Sequence, residues 1–253
     1  MSSLSLFVLL IGPFMGSFVS ASAKSWPEWR QVLQARSRCG HCETKLTIID
    51  LVPVFSYLML RGQCRTCKAP IGRVHFIVEL LAITIAISAV WAFDGWMELA
   101  TALLGWTLLF ASLVDFRLRL LPNGSSFALI LAGGIMAFTH GQWDELGMSV
   151  LGASIGYVVF FGISKLYLAL RGREGLGRGD AKLLAAGGAW TGPFALSWIV
   201  LIASLLALLG LVANRKKGEA LKADTALAFG PALAASIYLV WLGTNLPALM
   251  GRG

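Results

Sequence analysis

Apolar runs close to the length of a bilayer crossing recur along this chain, and that recurrence limits its fold more than any motif. They occupy Leu4–Ser20, Val74–Phe93, Glu98–Val114, Ser125–Thr139, Leu146–Leu170, Phe194–Ala213 and Ala226–Thr244. A spanning helix needs about 20 apolar residues, and the fourth run is the short one. A further run, Ala181–Trp190, holds Gly187 and Gly188 and stops at Gly192-Pro193. It predicts a short tilted helix shielded by its neighbours, or a re-entrant segment, because bare backbone polar groups are intolerable in lipid. Only 13% of the residues are charged, against 57% hydrophobic, whereas soluble domains carry about 25% charged residues. The expected fold class is an all-α polytopic membrane protein with about eight membrane segments.

The cations orient it. If eight segments alternate, 20 of the 21 Lys and Arg fall on one face and only Arg252 lies opposite. Asp94, Glu98, Asp144 and Glu145 mark the other face. By the positive-inside rule the basic face is cytoplasmic and both termini lie outside. The net charge of +8 is then accounted for by topology and anionic lipid, without nucleic acid as a partner. Leu4–Val19 followed by Ala21-Ser22-Ala23 resembles a signal peptide with a cleavage site. Such a peptide carries its positive charge ahead of the apolar run, whereas here Lys24 follows it, so the run reads as a first membrane helix.

These boundaries predict three parts: a membrane helix over 1–20, a cytoplasmic insert over 21–73, and a helical bundle over 74–253. An insert of that size is too small for a robust hydrophobic core and needs a staple. All four cysteines lie in it, as Cys39-Gly-His-Cys42 and Cys64-Arg-Thr-Cys67. Two C-x2-C pairs suit a tetrahedral site of four thiolates holding structural zinc, and a reducing compartment keeps the thiols available. His41 then acts as a spacer. The competing reading is redox chemistry, with His41 lowering a thiol pKa at Cys39 and Cys42. It leaves the second pair unexplained and lacks a βαβ pattern.

Two acids stand at the ends of apolar runs on the basic face. Asp115 closes the third, in Ser112-Leu-Val-Asp115, and Asp180 opens the short one, in Gly177-Arg-Gly179-Asp180-Ala-Lys182. A carboxylate at the edge of hydrocarbon is costly and therefore a functional candidate. Singly, Asp180 also reads as a helix N-cap and Asp115 as an interfacial partner of Arg117 or Arg119. Together they suit acid–base catalysis: two carboxylates sharing a site do not both ionise, so one can activate water while the other protonates a leaving group. Gly177 and Gly179 would let the backbone beside Asp180 approach a substrate strand. Gly175-Leu-Gly177-Arg-Gly179 also looks like a nucleotide-binding loop, but that loop needs a preceding strand within a βαβ unit.

These residues, in this order, resemble the bacterial type IV prepilin peptidase family. Gly177-Arg-Gly179-Asp180 with the following Lys182-Leu-Leu-Ala-Ala resembles its G-x-G-D signature, and Glu174-Gly175 its lead-in. Asp115 ahead of Pro122-Asn123, Gly16-Ser17-Phe18, Gly188-Ala189-Trp190, Phe229-Gly230-Pro231 and the two cysteine pairs are similar to further family landmarks. The resemblance spans residues 12–231. It implies an aspartyl endopeptidase of the inner membrane, with Asp115 and Asp180 catalytic, that removes a basic leader from type IV prepilins or secretion pseudopilins. It also implies N-methylation of the new terminus from S-adenosylmethionine. The departures gather in the first half: the family's G-S-F-L-N ends here in Ser20, V-E-L-L-T-G reads Val78-Glu79-Leu-Leu-Ala-Ile83, and D-x-D reads Asp115-Phe-Arg117. Glu79 remains a candidate functional acid, or an interfacial residue paired with Arg73 or His75. A zinc-stapled membrane scaffold or transport component is the alternative from a different class.

Overall fold

The structure is a computed structural model; it describes residues 2–28, 30, 32, 37–172, 177–213 and 229–245. Glu174-Gly175 and all four cations expected between the last two segments, Arg215, Lys216, Lys217 and Lys222, lie outside the described residues. The elements are α1 (Ser3–Lys24), a short 3-10 turn (Ile48–Leu51), α2 (Phe55–Met59), α3 (Arg73–Ala92), α4 (Trp96–Leu118), α5 (Asn123–Arg171), α6 (Arg178–Thr191), α7 (Leu196–Ala213) and α8 (Phe229–Asn245). Among the described residues the only extended pairings are two isolated ones, Arg38 with Lys45 and Gln63 with Pro70. Among the described residues, five helical stretches are long and apolar enough to cross a membrane: α1, α3, α4, Gly141–Arg171 and α7. The all-α, multi-pass class read from the sequence is therefore the observed one. The chain forms two compact units, Met1–Leu113 and Val114–Gly253.

In the first unit, α1 starts on a capping box: Ser5 N–H donates to Ser2 Oγ at 3.0 Å and Ser2 N–H to Ser5 Oγ at 3.2 Å. Such reciprocal bonds satisfy donors the first turn leaves open. α1 packs on α3 through small residues. A Cβ on Gly16 would lie 2.6 Å from the Glu79 Cα, and one on Gly12 3.0 Å from the Ala86 Cβ. Small residues four apart let helix backbones approach where lipid gives no hydrophobic drive. Val8, Val19, Val78, Ala82, Ala86 and Trp106 form the buried centre, and the Trp106 indole N–H donates to the Ala82 carbonyl at 3.1 Å.

In the second unit α6 is the centre. Every residue from Asp180 to Trp190 except the half-buried Lys182 is buried, so the short apolar run is a shielded helix. Its walls include α5, which breaks at Gln142 (φ 55, ψ −127) into arms that both pack on α6. A Cβ on Gly133 in the first arm would lie 2.8 Å from Trp190 Cδ1, and one on Gly156 in the second 2.8 Å from the Leu184 carbonyl oxygen. Ser149 Oγ donates to the Ala189 carbonyl at 2.7 Å and Trp190 Nε1 to the Leu129 carbonyl at 2.8 Å. Gly187 meets Ile199 of α7 and Ile237 of α8, and Trp190 meets Trp241 of α8 edge-on at 5.2 Å.

Candidate active site and cysteine centre

Asp115 lies in the last turn of α4, which is closed by Arg119 in the left-handed region (φ 53) as its N–H donates to the Asp115 carbonyl at 2.7 Å. Asp180 lies in the first turn of α6, whose N-cap is Gly177. The cap position expected for Asp180 is thus held by glycine, and the Asp180 carboxylate instead accepts the Gly177 N–H from within the turn. Each aspartate is only 8% exposed, and the two carboxylates lie within electrostatic reach of one another.

Three glycines shape this pair. A Cβ on Gly177 would lie 3.2 Å from Asp180 Oδ2, and one on Gly179 2.7 Å from the Leu121 Cβ, so both glycines make room for the site's own walls. Gly230, at the start of α8, donates its backbone N–H to the Asp115 carboxylate. A Cβ there would lie 2.5 Å from Asp115 Oδ2. Sequence reasoning matched Phe229-Gly230-Pro231 to a family landmark but gave it no task. Lys182, one turn or less past Asp180, donates to Asn123 Oδ1 at 2.7 Å and ties α6 to the start of α5. Arg119 is the cation acting on Asp115 at Coulombic range.

The four cysteine sulfurs all lie within 4.8 Å of one another, with Cys39 Sγ and Cys67 Sγ 3.8 Å apart. A tetrahedron of sulfurs about 2.3 Å from zinc has edges of about 3.8 Å, so the thiols fit a metal ion with little movement. Two copies of one backbone turn place them. Cys39 N–H donates to the Thr44 carbonyl and Cys64 N–H to that of Ala69; Glu43 N–H returns to Cys39 and Lys68 N–H to Cys64. Glu43 (φ 54) and Lys68 (φ 58) both adopt the left-handed region directly after the second cysteine. This internal duplication was hidden because only the cysteines are shared. Without metal the thiols titrate unevenly. Hydrogen bonds from the Thr44 hydroxyl and backbone pull Cys42 down to about 6. Cys67, although the Ala69 N–H favours its thiolate, is pushed up to about 11 by desolvation and neighbouring thiols. Asp50 is held below the usual carboxylate range, first by the Thr47 hydroxyl, and joins the 3-10 turn to Arg65 at 2.8 Å. The His41 contact is through its backbone N–H to Cys39 Sγ at 3.5 Å.

Glu79 is 2% exposed and belongs to the first unit. Of the two partners expected for it, His75 is the one observed, at 3.1 Å. The Val54 N–H also donates to it, at 2.7 Å.

The chain is similar to known proteins along most of its length. The model of the bacterial peptidase A24 N-terminal domain matches residues 10–93, and that of the type IV leader peptidase family matches residues 102–212, which contain Asp115 and Asp180. A prepilin leader peptidase/N-methyltransferase of Aeromonas hydrophila is 38% identical over 212 residues, covering 81% of this chain and 71% of the relative. One of Burkholderia pseudomallei (strain K96243) is 39% identical over 220 residues, covering 85% and 70%. A type 4 prepilin-like proteins leader peptide-processing enzyme of Escherichia coli O78:H11 is 35% identical over 210 residues, covering 81% and 76%. No solved structure matches the chain. With two family models in sequence along most of its length and relatives matched over four fifths of it, the chain belongs to the type IV leader peptidase family.

Proposed function

We propose that this protein is a membrane aspartyl endopeptidase that cleaves the leader from type IV prepilins or pseudopilins, with Asp115 and Asp180 as its catalytic pair. The observation that carries this reading is the burial of two carboxylates from different helices within electrostatic reach of each other. One carboxylate takes a proton from water as that water attacks the scissile carbonyl. The other, protonated, polarises the carbonyl and then protonates the leaving amine. Backbone N–H bonds from Gly177 and Gly230 hold the two side chains while leaving lone pairs free for water and substrate. Gly179 and Lys182 set the position of α6 behind Asp180.

The basic loops support a bacterial inner-membrane location with the pair at the cytoplasmic face. A precursor then lies with its apolar helix in the bilayer and its basic leader protruding beside the pair. Incubating a prepilin in membranes containing the protein is expected to shorten it at the leader junction, as read by gel and mass spectrometry. An uncut precursor, across several candidates, would favour the scaffold reading. Relatives named as N-methyltransferases support a second product, heavier by about 14 Da for one added methylene, with S-adenosylmethionine as donor.

Cys39, Cys42, Cys64 and Cys67 would hold zinc, which supplies folding free energy to the insert and takes no part in the cleavage. Metal analysis is expected to find one zinc per chain, and Cys64→Ser or a strong chelator is expected to remove it and expose residues 37–71 to protease. A full zinc complement in the variant would exclude the four-thiolate site.

A further inference from the structure

The insert between α1 and α3 turns its apolar side outward. Over residues 46–60 it carries one charged side chain, Asp50. That carboxylate is engaged within the insert: it accepts the Thr47 hydroxyl at 2.6 Å and the Thr47 N–H at 3.0 Å, and pairs with Arg65 at 2.8 Å. What remains on the surface is apolar. Ile48 is 86% exposed, and Ile49, Leu51, Phe55, Leu58 and Met59 are exposed with it. On α2 the exposed Phe55, Leu58 and Met59 stand at i, i+3 and i+4 and so form one stripe, while Ser56 and Tyr57 are half-buried. A surface helix in water presents the opposite arrangement, with its apolar stripe facing the core. A contiguous exposed apolar patch marks an interaction surface.

The contacts of this segment fix its height along α3. The Val54 N–H donates to Glu79 Oε2 at 2.7 Å, and Tyr57 stacks on Phe76 with ring centroids 4.6 Å apart. Phe76 and Glu79 lie three and six residues past Arg73, where α3 begins, or about 4.5 and 9 Å along a helix that rises 1.5 Å per residue. α3 is long and apolar enough to cross a membrane from that start. α2 is therefore level with the first two turns of a spanning helix instead of lying beyond its end. Val74 and Ile77 of those turns are exposed and apolar too. Interfacial segments seat their apolar face about 5–10 Å into the boundary between headgroups and acyl chains, which is the same depth. Lys45 before the segment and Arg61 after it are both exposed, and such cations suit anionic headgroups. A second copy of the chain on the same patch would bring these like charges together.

We propose that residues 48–59 form an interfacial wedge, seated with its apolar stripe in a bilayer that contains anionic lipid and with Lys45 and Arg61 at the headgroups. The leaflet is the cytoplasmic one of the proposed topology, and the wedge does not depend on the cleavage reaction. The insert is then positioned by the membrane as well as by its four thiols.

The test uses the full chain in nanodiscs of phosphatidylglycerol and phosphatidylcholine. A photoreactive phenylalanine analogue is placed at Ile48, Phe55, Leu10 or Glu43, one position at a time. Leu10 is an exposed apolar residue within α1 and reports lipid contact on a spanning helix; Glu43 is an exposed polar position of the same insert. Mass spectrometry is expected to find phospholipid adducts at Ile48 and Phe55 in yields close to that at Leu10 and well above that at Glu43. Phe55→Glu with Leu58→Glu is expected to cut the adducts at Ile48 by about tenfold, since two carboxylates would have to enter the lipid boundary. Adducts to a second copy of the chain in place of lipid, or yields at Ile48 and Phe55 no higher than at Glu43, overturn the proposal. So does an unchanged yield at Ile48 in a double variant whose thermal unfolding matches that of the wild type. Should the double variant fail to fold, the yields at Ile48 and Phe55 in the otherwise unaltered chain decide alone.

Discussion

Asp180→Asn and Asp115→Asn are each expected to leave a prepilin precursor uncut, with the cleavage rate lower by about a thousandfold or more. Asparagine has the shape of aspartate and its carbonyl still accepts the N–H of Gly177 or Gly230, so the local fold persists. What it cannot do is take up a proton from water or hold one for the leaving amine. Acid–base catalysis by a positioned side chain is worth about 10²–10⁴-fold, and a thousandfold loss corresponds to about 4 kcal/mol of transition-state stabilisation. Because the carboxylates act as one unit, the double variant is expected to be little worse than either single one. Rates are compared at equal amounts of inserted, zinc-loaded protein; either variant cutting at the wild-type rate would remove that residue from the catalytic pair.

Gly230→Ala is expected to lower cleavage by about a hundredfold although it adds one methyl group and leaves both aspartates in place. The added Cβ would lie 2.5 Å from Asp115 Oδ2 and 2.8 Å from its Cγ. Either the carboxylate turns away or the start of α8 withdraws, and the backbone N–H bond to Asp115 is lost with it. Displacement of a catalytic group by about 1 Å can cost about 10²-fold. Gly243→Ala on the same helix is the matched control, since nothing lies within 4 Å of its Cβ position; its activity is expected to be unchanged. Equal rates for the two variants would show that Gly230 does not position Asp115.

The parts of this protein that were legible in the sequence are those where chemistry conflicts with its surroundings. Asp115 and Asp180 stood out because a carboxylate at the end of an apolar run needs a reason, and the cysteine pairs because their spacing matches a metal's geometry. The short run at Ala181–Trp190 was readable as a shielded helix or a re-entrant segment, because bare backbone is intolerable in lipid, and the helix is what is observed. Gly230 carried no such signal: it acts through a backbone N–H and the absence of a side chain, 115 positions after the residue it holds. The packing role of Gly12 and Gly16 was equally hidden, although Gly16 belongs to a family landmark, since it depends on where Ala86 and Glu79 fall on another helix. The break at Gln142 has no proline or paired glycine at the residue itself, and the two apolar runs flanking it gave only their lengths.

The burial of nearly all of α6 has a consequence for assembly. A helix of 14 residues cannot be held by lipid alone, because its ends do not reach both interfaces. It gains its place only when other helices close around it, α8 among them. The same helix brings Gly230 to Asp115. Closure of the bundle around α6 and placement of Gly230 against Asp115, of the proposed catalytic pair, are therefore coupled.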